Sequence, residues 1–174
     1  MTEKILVAYA SKYGATQEIA EAIAGHLHHA GLTVDVRPAD EVDGLKDYQT
    51  VVLGSAVYAG QWRKEAIVFL ESYELVLSEM PVWFFSSGPT GEGDPVQLMK
   101  GWRFPEALKP LIDRIQPRDI AFFHGVLDTK KMNWAEILLV KGLKAPLGDF
   151  RDWDAIEEWA NKIAAALQVN IPSA

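Results

Sequence analysis

Short apolar runs alternate with longer stretches of helical period along this chain of 174 residues. Residues 5–10 (ILVAYA) form an apolar run of the kind found in a strand buried on both faces. The period then changes. Ile19, Ile23 and Leu27 recur at every fourth position, with Ala20, Ala24 and Ala30 beside them. That single apolar stripe predicts a helix over 17–30, with Gly31 as its C-terminal cap. Further runs at 32–36 (LTVDV), 50–56 (TVVLGSA), 81–87 (PVWFFSS) and 119–126 (DIAFFHGV) predict four more strands. Helices are expected at 64–78, at 105–115 and at 153–168. The second of these rests on Leu108, Leu111, Ile112 and Ile115, with Pro110 starting or interrupting it. The last buries Trp153, Ile156, Ala160, Ile163, Ala164 and Leu167.

Strands that alternate with helices imply right-handed crossovers and a parallel sheet covered on both faces. Five such strands make an α/β fold with an open, doubly wound sheet. Ligands of these sheets bind outside the carboxyl ends of the strands, near the switch point of strand order. The loops at 11–16, 57–63 and 88–103 are therefore the expected site. No proline-rich, glycine/serine-rich or charge-block linker divides the chain, so residues 1–174 read as one domain.

Composition narrows the chemistry. The formal net charge of -7 argues against nucleic acid as main partner, since phosphate backbones want clustered Lys and Arg. The chain has no cysteine, which removes disulfides, thiol nucleophiles, thiolate zinc sites and ordinary iron–sulfur clusters. The opening MTEKILVAYA has too short an apolar run for a signal peptide, and nothing approaches the roughly 18 apolar residues of a membrane span. The expected location is cytoplasmic, at most peripheral to the inner face of the membrane.

SKYGAT (11–16) stands where the first strand ends and the first helix begins. Free N–H groups at a helix start bind anions, aided by the dipole. Ser11 and Thr16 add hydroxyls, Lys12 adds charge, and Gly14 permits positive φ or close approach. A phosphate is the natural occupant; an ordinary turn with a Ser or Thr helix cap is the alternative. The GxxxxGK loop and the GxGxxG fingerprint are both missing from this turn. The other two loops are aromatic and glycine-rich. SAVYAGQWRKE (55–65) sets Tyr58 and Trp62 around Ala59-Gly60, and SSGPTGEGDPVQLMKGW (86–102) carries four glycines, two prolines and Trp102. Aromatics at the mouth of such a sheet can sandwich a flat ring, unless they are simply core. A phosphate at one loop and a flat ring across the other two describe a mononucleotide, and FMN fits best.

These three loops resemble those of the flavodoxin family, over the whole length of the chain. GSAVYAG followed by W, FFSSGP, the segment after the fifth strand and GDFRDWDAIEEWA are similar to one branch in particular, which includes the menaquinone-dependent protoporphyrinogen dehydrogenases. The resemblance implies a strand order of 2-1-3-4-5 and noncovalent FMN. It implies that Ser11, Lys12, Tyr13, Gly14, Ala15 and Thr16 surround the phosphate. Tyr13 stands where many electron-carrier flavodoxins have threonine. Val57, Tyr58, Ala59 and Gly60 would face the pyrimidine and N5 side of the ring, with the Ala59–Gly60 peptide turning over on reduction. Ser87, Gly88, Pro89, Thr90 and Gly91 would line the other edge, with Trp62 or Trp102 stacking. Glu92 and Asp94 would add negative charge that lowers the potential.

No residue stands out as a general acid or base, so no catalytic residue is assigned. His26, His28 and His29 read as solvated histidines at a helix C-terminus rather than as a metal site. His124 reads as a core or rim histidine, and Glu157 and Glu158 as the wet face of the last helix. The segment 128–150 is too long for a simple connection, with a helix at 134–143 and Lys130, Lys131, Lys141 and Lys144 around it. It is either a helix lying over the sheet or a docking element for a quinone, a membrane surface or a redox partner protein. Three functions follow: a quinone-linked flavin dehydrogenase of the protoporphyrinogen type, a small electron carrier between proteins, and a flavin-free binding module.

Overall fold

The computed structural model describes residues 3–168. In chain order it contains β1 (Lys4–Ala10), α1 (Ala15–His29), β2 (Thr33–Pro38), β3 (Thr50–Tyr58), β4 (Gln61–Trp62), α2 (Lys64–Leu77), β5 (Val82–Ser87) and α3 (Pro95–Leu98). It continues with α4 (Lys109–Ile115), β6 (Asp119–Phe123), β7 (Val126–Leu127), α5 (Trp134–Leu143), β8 (Gly148–Asp149) and α6 (Trp153–Gln168). The main sheet runs β2-β1-β3-β5-β6, all parallel, with the short β4 antiparallel on the end of β3. With β4 set aside, this is the expected order, 2-1-3-4-5.

Alternation along each strand sorts the core into two layers. Ile5, Val7, Val52, Trp83 and Phe85 meet α1 and α6 on one face. Leu6, Leu53, Val82 and Phe84 meet α2 and α4 on the other. Continuous apolar strands are what a sheet covered on both sides demands.

Three boundaries differ from the periodicity, each for a local reason. α1 starts at Ala15, earlier than the apolar stripe suggests, because Gly14 at φ 91° turns the chain directly into the helix. Pro110 lies in the first turn of α4, where its missing N–H costs nothing, so it starts the helix rather than interrupting it. The fifth main strand stops at Phe123, short of the expected 126. There Gly125 passes so close to Gly88 that an added Cβ would lie 2.9 Å from the Gly88 Cα. The last helix also departs in one residue. Trp153 is 43% exposed, with the Arg151 guanidinium 4.7 Å over its ring. Trp159 takes the buried place instead, against Phe85 and Phe123, and its Nε1 donates to Asp119 at 2.8 Å.

Gly54 faces Phe85 across the β3–β5 ladder, and a Cβ there would lie 1.9 Å from that ring. Phe85 is fully buried. Gly54→Ala should therefore destabilise the fold by about 1–3 kcal/mol through overpacking. Adding Phe85→Leu should recover part of that loss, read from urea unfolding midpoints at constant m-value.

Candidate functional site

The turn after β1 is organised by its own hydroxyl. Ser11 Oγ accepts from the Gly14 N–H at 3.0 Å, and Gly14, left-handed, opens α1 with no side-chain cap. The first helical bond runs from Glu18 N–H to Gly14 O at 3.0 Å. The N–H groups of Ala15, Thr16 and Gln17 precede it and have no carbonyl within the helix. A Cβ on Gly14 would meet nothing within 4 Å. Free N–H groups at a helix start are of the kind that suits an anion. Thr16 plays a different part from that of an outward hydroxyl donor. It is buried, and its Oγ1 meets Ser87 Oγ at 2.8 Å, tying the start of α1 to the end of β5.

The second loop is a hairpin. β3 and β4 pair through Val57 with Trp62 and Tyr58 with Gln61, leaving Ala59-Gly60 as a two-residue turn. Both turn residues have positive φ, 48° and 72°, as a type I′ turn requires. Glycine adopts this freely, whereas alanine is strained there by about 1–2 kcal/mol. Tyr58 is half-exposed at the mouth, edge-on to Tyr13 with ring centres 6.3 Å apart. Burial raises its phenol above the usual value. Trp62 is elsewhere. It is 3% exposed, packs edge-on to Phe84, and its Nε1 donates to Ser86 Oγ at 2.8 Å. The stacking place expected of Trp62 is thus occupied by a core residue whose one donor is spent. Trp102, partly buried, lies tilted against Phe122 with centres 5.2 Å apart.

The third loop is drawn onto the sheet by a residue read from the sequence only as core or rim. His124 is buried just past β6. Its Nδ1 lies 3.0 Å from Pro89 O and its Nε2 2.5 Å from Gly93 O. Both ring nitrogens thus face carbonyls of the segment that carries Pro89, Thr90 and Gly91. Gly88 fits beneath, where a Cβ would press on Val57 at 3.2 Å. Asp94 accepts from Val96 N–H at 2.8 Å and caps α3, while Glu92 is exposed.

A fourth component reaches the turn from the extra segment. β7 and β8 pair as a two-residue neck, Val126 with Asp149 and Leu127 with Gly148. The chain between them carries α5 back over 11–16. Glu136 accepts from both Lys12 Nζ and Tyr13 Oη. Those contacts, Lys12 first, hold its carboxyl down at about 2. Burial first, then Glu136, raise the Tyr13 phenol. Lys131 Nζ donates to Tyr13 O and Arg151 Nη1 to Ala15 O, each at 3.3 Å. Arg151 also pairs with Asp149 and Glu18. Glu136, Arg151 and His124 lie far in sequence from the loops they serve, so no spacing signal marks them. The asparagine–glutamate capping box at the start of α5, read in advance, would have shown a deliberately built helix.

The residues fit a flavin phosphate in one respect and oppose it in another: the backbone donors and open turn suit an anion, while Glu136 already holds the two side-chain donors. His124→Phe keeps a flat ring but takes the imidazole from the Gly93 carbonyl and leaves the Pro89 carbonyl with the Gly125 N–H alone. It should lower stability by about 1–3 kcal/mol and speed amide exchange selectively in 88–93.

Residues 6–154 match the flavodoxin domain family. Protoporphyrinogen IX dehydrogenase (quinone) of Escherichia coli strain K12 is 22% identical over 182 aligned residues, covering 92% of this chain and 94% of its own. Among solved structures, the rubredoxin:oxygen oxidoreductase of Desulfovibrio gigas superposes with a TM-score of 0.65 at 14% identity. That match covers 99% of this chain but 38% of the larger protein. A flavodoxin variant from Pseudomonas aeruginosa superposes at 0.62 and 18% identity, covering 95% of this chain and 99% of its own. Both superpositions are likenesses of fold. With the parallel sheet in its order and the family match spanning most of its length, the chain belongs to the flavodoxin domain family.

Proposed function

We propose that this protein binds FMN and acts as a flavin oxidoreductase of the protoporphyrinogen dehydrogenase type, passing electrons to a quinone. The observation that carries this reading is the segment between β7 and β8. A carrier that only shuttles electrons needs no such addition. Here it crosses the phosphate turn and turns Trp134, Leu138, Leu139 and Leu143 outward, 76%, 61%, 61% and 70% exposed. Lys130, Lys141 and Lys144 are exposed in the same segment, while Lys131 reaches the Tyr13 carbonyl. Exposed apolar side chains with lysines in the same segment suit the interface of an anionic membrane, where quinones reside. Among the described residues no helix is long and apolar enough to cross a membrane. The proposed place is therefore the cytoplasmic surface of the membrane, in peripheral contact. The similarity to the quinone-linked dehydrogenase of Escherichia coli, spread along nearly the whole chain, supports the same reading.

In this reading residues 11–16 hold the phosphate, chiefly through backbone N–H groups. Val57, Tyr58, Ala59 and Gly60 face one edge of the ring, and Ser87, Gly88, Pro89, Thr90 and Gly91 the other. Tyr58, exposed at the mouth, and Trp102 are the stacking candidates. The flavin supplies the redox chemistry when bound; the chain binds, orients and shields it. A second reading, electron carriage between proteins, is favoured by the acidic Glu92 and Asp94 in the third loop and by loops that offer no dedicated proton-transfer group.

Two outcomes are expected. Heat should release FMN, identified by mass, and riboflavin should bind far more weakly than FMN; equal affinities would exclude a phosphate site. Secondly, protoporphyrinogen should be oxidised anaerobically with menaquinone as acceptor. Lys→Glu at 130, 141 and 144 should weaken that turnover and change its salt dependence while flavin loading stays high. Turnover unaffected by these changes would favour carriage.

A further inference from the structure

α5 turns its apolar side outward and its single carboxylate inward. Glu136 is the one acidic residue in the helix, and it points onto the turn where the first strand meets α1. The start of α5 does not need that charge. Asn133 Oδ1 accepts from the Glu136 N–H at 2.9 Å, and the Glu136 carboxylate accepts from the Asn133 N–H at 3.1 Å. Glutamine closes the same box as well as glutamate does. What a carboxylate adds is a counter-ion for Lys12 and an acceptor for Tyr13.

The segment grips the turn in two chemically different ways. Lys131 and Arg151 donate to carbonyl oxygens, those of Tyr13 and Ala15. An incoming anion has no use for carbonyls, so these contacts need not break when one binds. Glu136 instead takes donors, the Lys12 ammonium and the Tyr13 hydroxyl. An anion in the turn needs these same groups, and two anions sharing them repel.

Building on the proposed flavin site, we infer that Glu136 is a built-in competitor for the phosphate turn, holding the Lys12 and Tyr13 donors until a phosphate displaces it. The neck at β7–β8 and the two carbonyl contacts keep the segment attached while α5 shifts. Its carboxyl, held at about 2, is depressed below the ordinary carboxylate range, so the contact is present above that range and lost only as pH falls toward 2. Neutral or mildly acid solution therefore leaves the contact in place.

The test is a double-mutant cycle read by flavin fluorescence. Titrate FMN and riboflavin into the wild type, Glu136→Gln, Lys12→Met and the double variant. Glu136→Gln keeps the capping box, and thermal melts confirm folding in each case. Glu136→Gln should bind FMN roughly tenfold more tightly, as freeing one charge-assisted contact allows. Riboflavin affinity should not change. In the Lys12→Met background the gain should shrink to about twofold or less, since the freed donor is no longer there. Amide exchange across 134–143 should rise on adding FMN to the wild type and stay constant with riboflavin. Wild type that binds flavin, with Glu136→Gln binding FMN equally or more weakly, overturns the inference and leaves the flavin site standing. A wild type that binds neither flavin overturns both.

Discussion

Everything this protein can hold depends on three strand ends meeting at one edge of a parallel sheet. Parallel strands send all their carboxyl ends to the same side, so the turn after β1, the hairpin after β3 and the loop after β5 converge there. Their closeness is enforced by small residues. A Cβ on Gly88 would lie 3.2 Å from Val57, and Gly125 passes over Gly88 with no room for a side chain. The buried Thr16–Ser87 contact then locks the start of α1 to the end of β5. Loops held this tightly can present backbone N–H groups to a ligand without reordering, which is the chief physical requirement of a preorganised site.

The electrostatics run against the overall charge. A chain with a net charge of -7 is expected to favour cations, yet the turn after β1 carries a lysine and leads into a helix start with N–H groups. Glu136 satisfies that turn from within. The apolar face that a globular helix would bury is therefore left outside, since its inward side is committed to a carboxylate. This one exchange links the two unusual features of the molecule, the anion cradle and the exposed hydrophobic helix.

The sheet, its order of elements and both buried layers were legible from periodicity, because burial on two faces leaves an unmistakable mark on strands and a stripe on helices. The position of the three loops at the carboxyl edge of the sheet followed from the same pattern, and so did the limits of α5, which the structure reproduces at Trp134–Leu143. Individual side chains were less legible. Trp62 and Trp159 look alike in sequence to Trp102 and Trp153, and only packing separates the buried pair, with indole donors spent on Ser86 and Asp119, from the partly open pair.

By itself, then, the sequence determined the fold class and the run of strands and helices, since these depend on local periodicity. Tertiary structure alone decided which way α5 faces, that Glu136 sits on Lys12 and Tyr13, that His124 holds the third loop, and that Arg151 reaches α1. Those contacts join residues as much as 136 positions apart. No helical or strand period spans such distances; only the folded sheet brings their partners together.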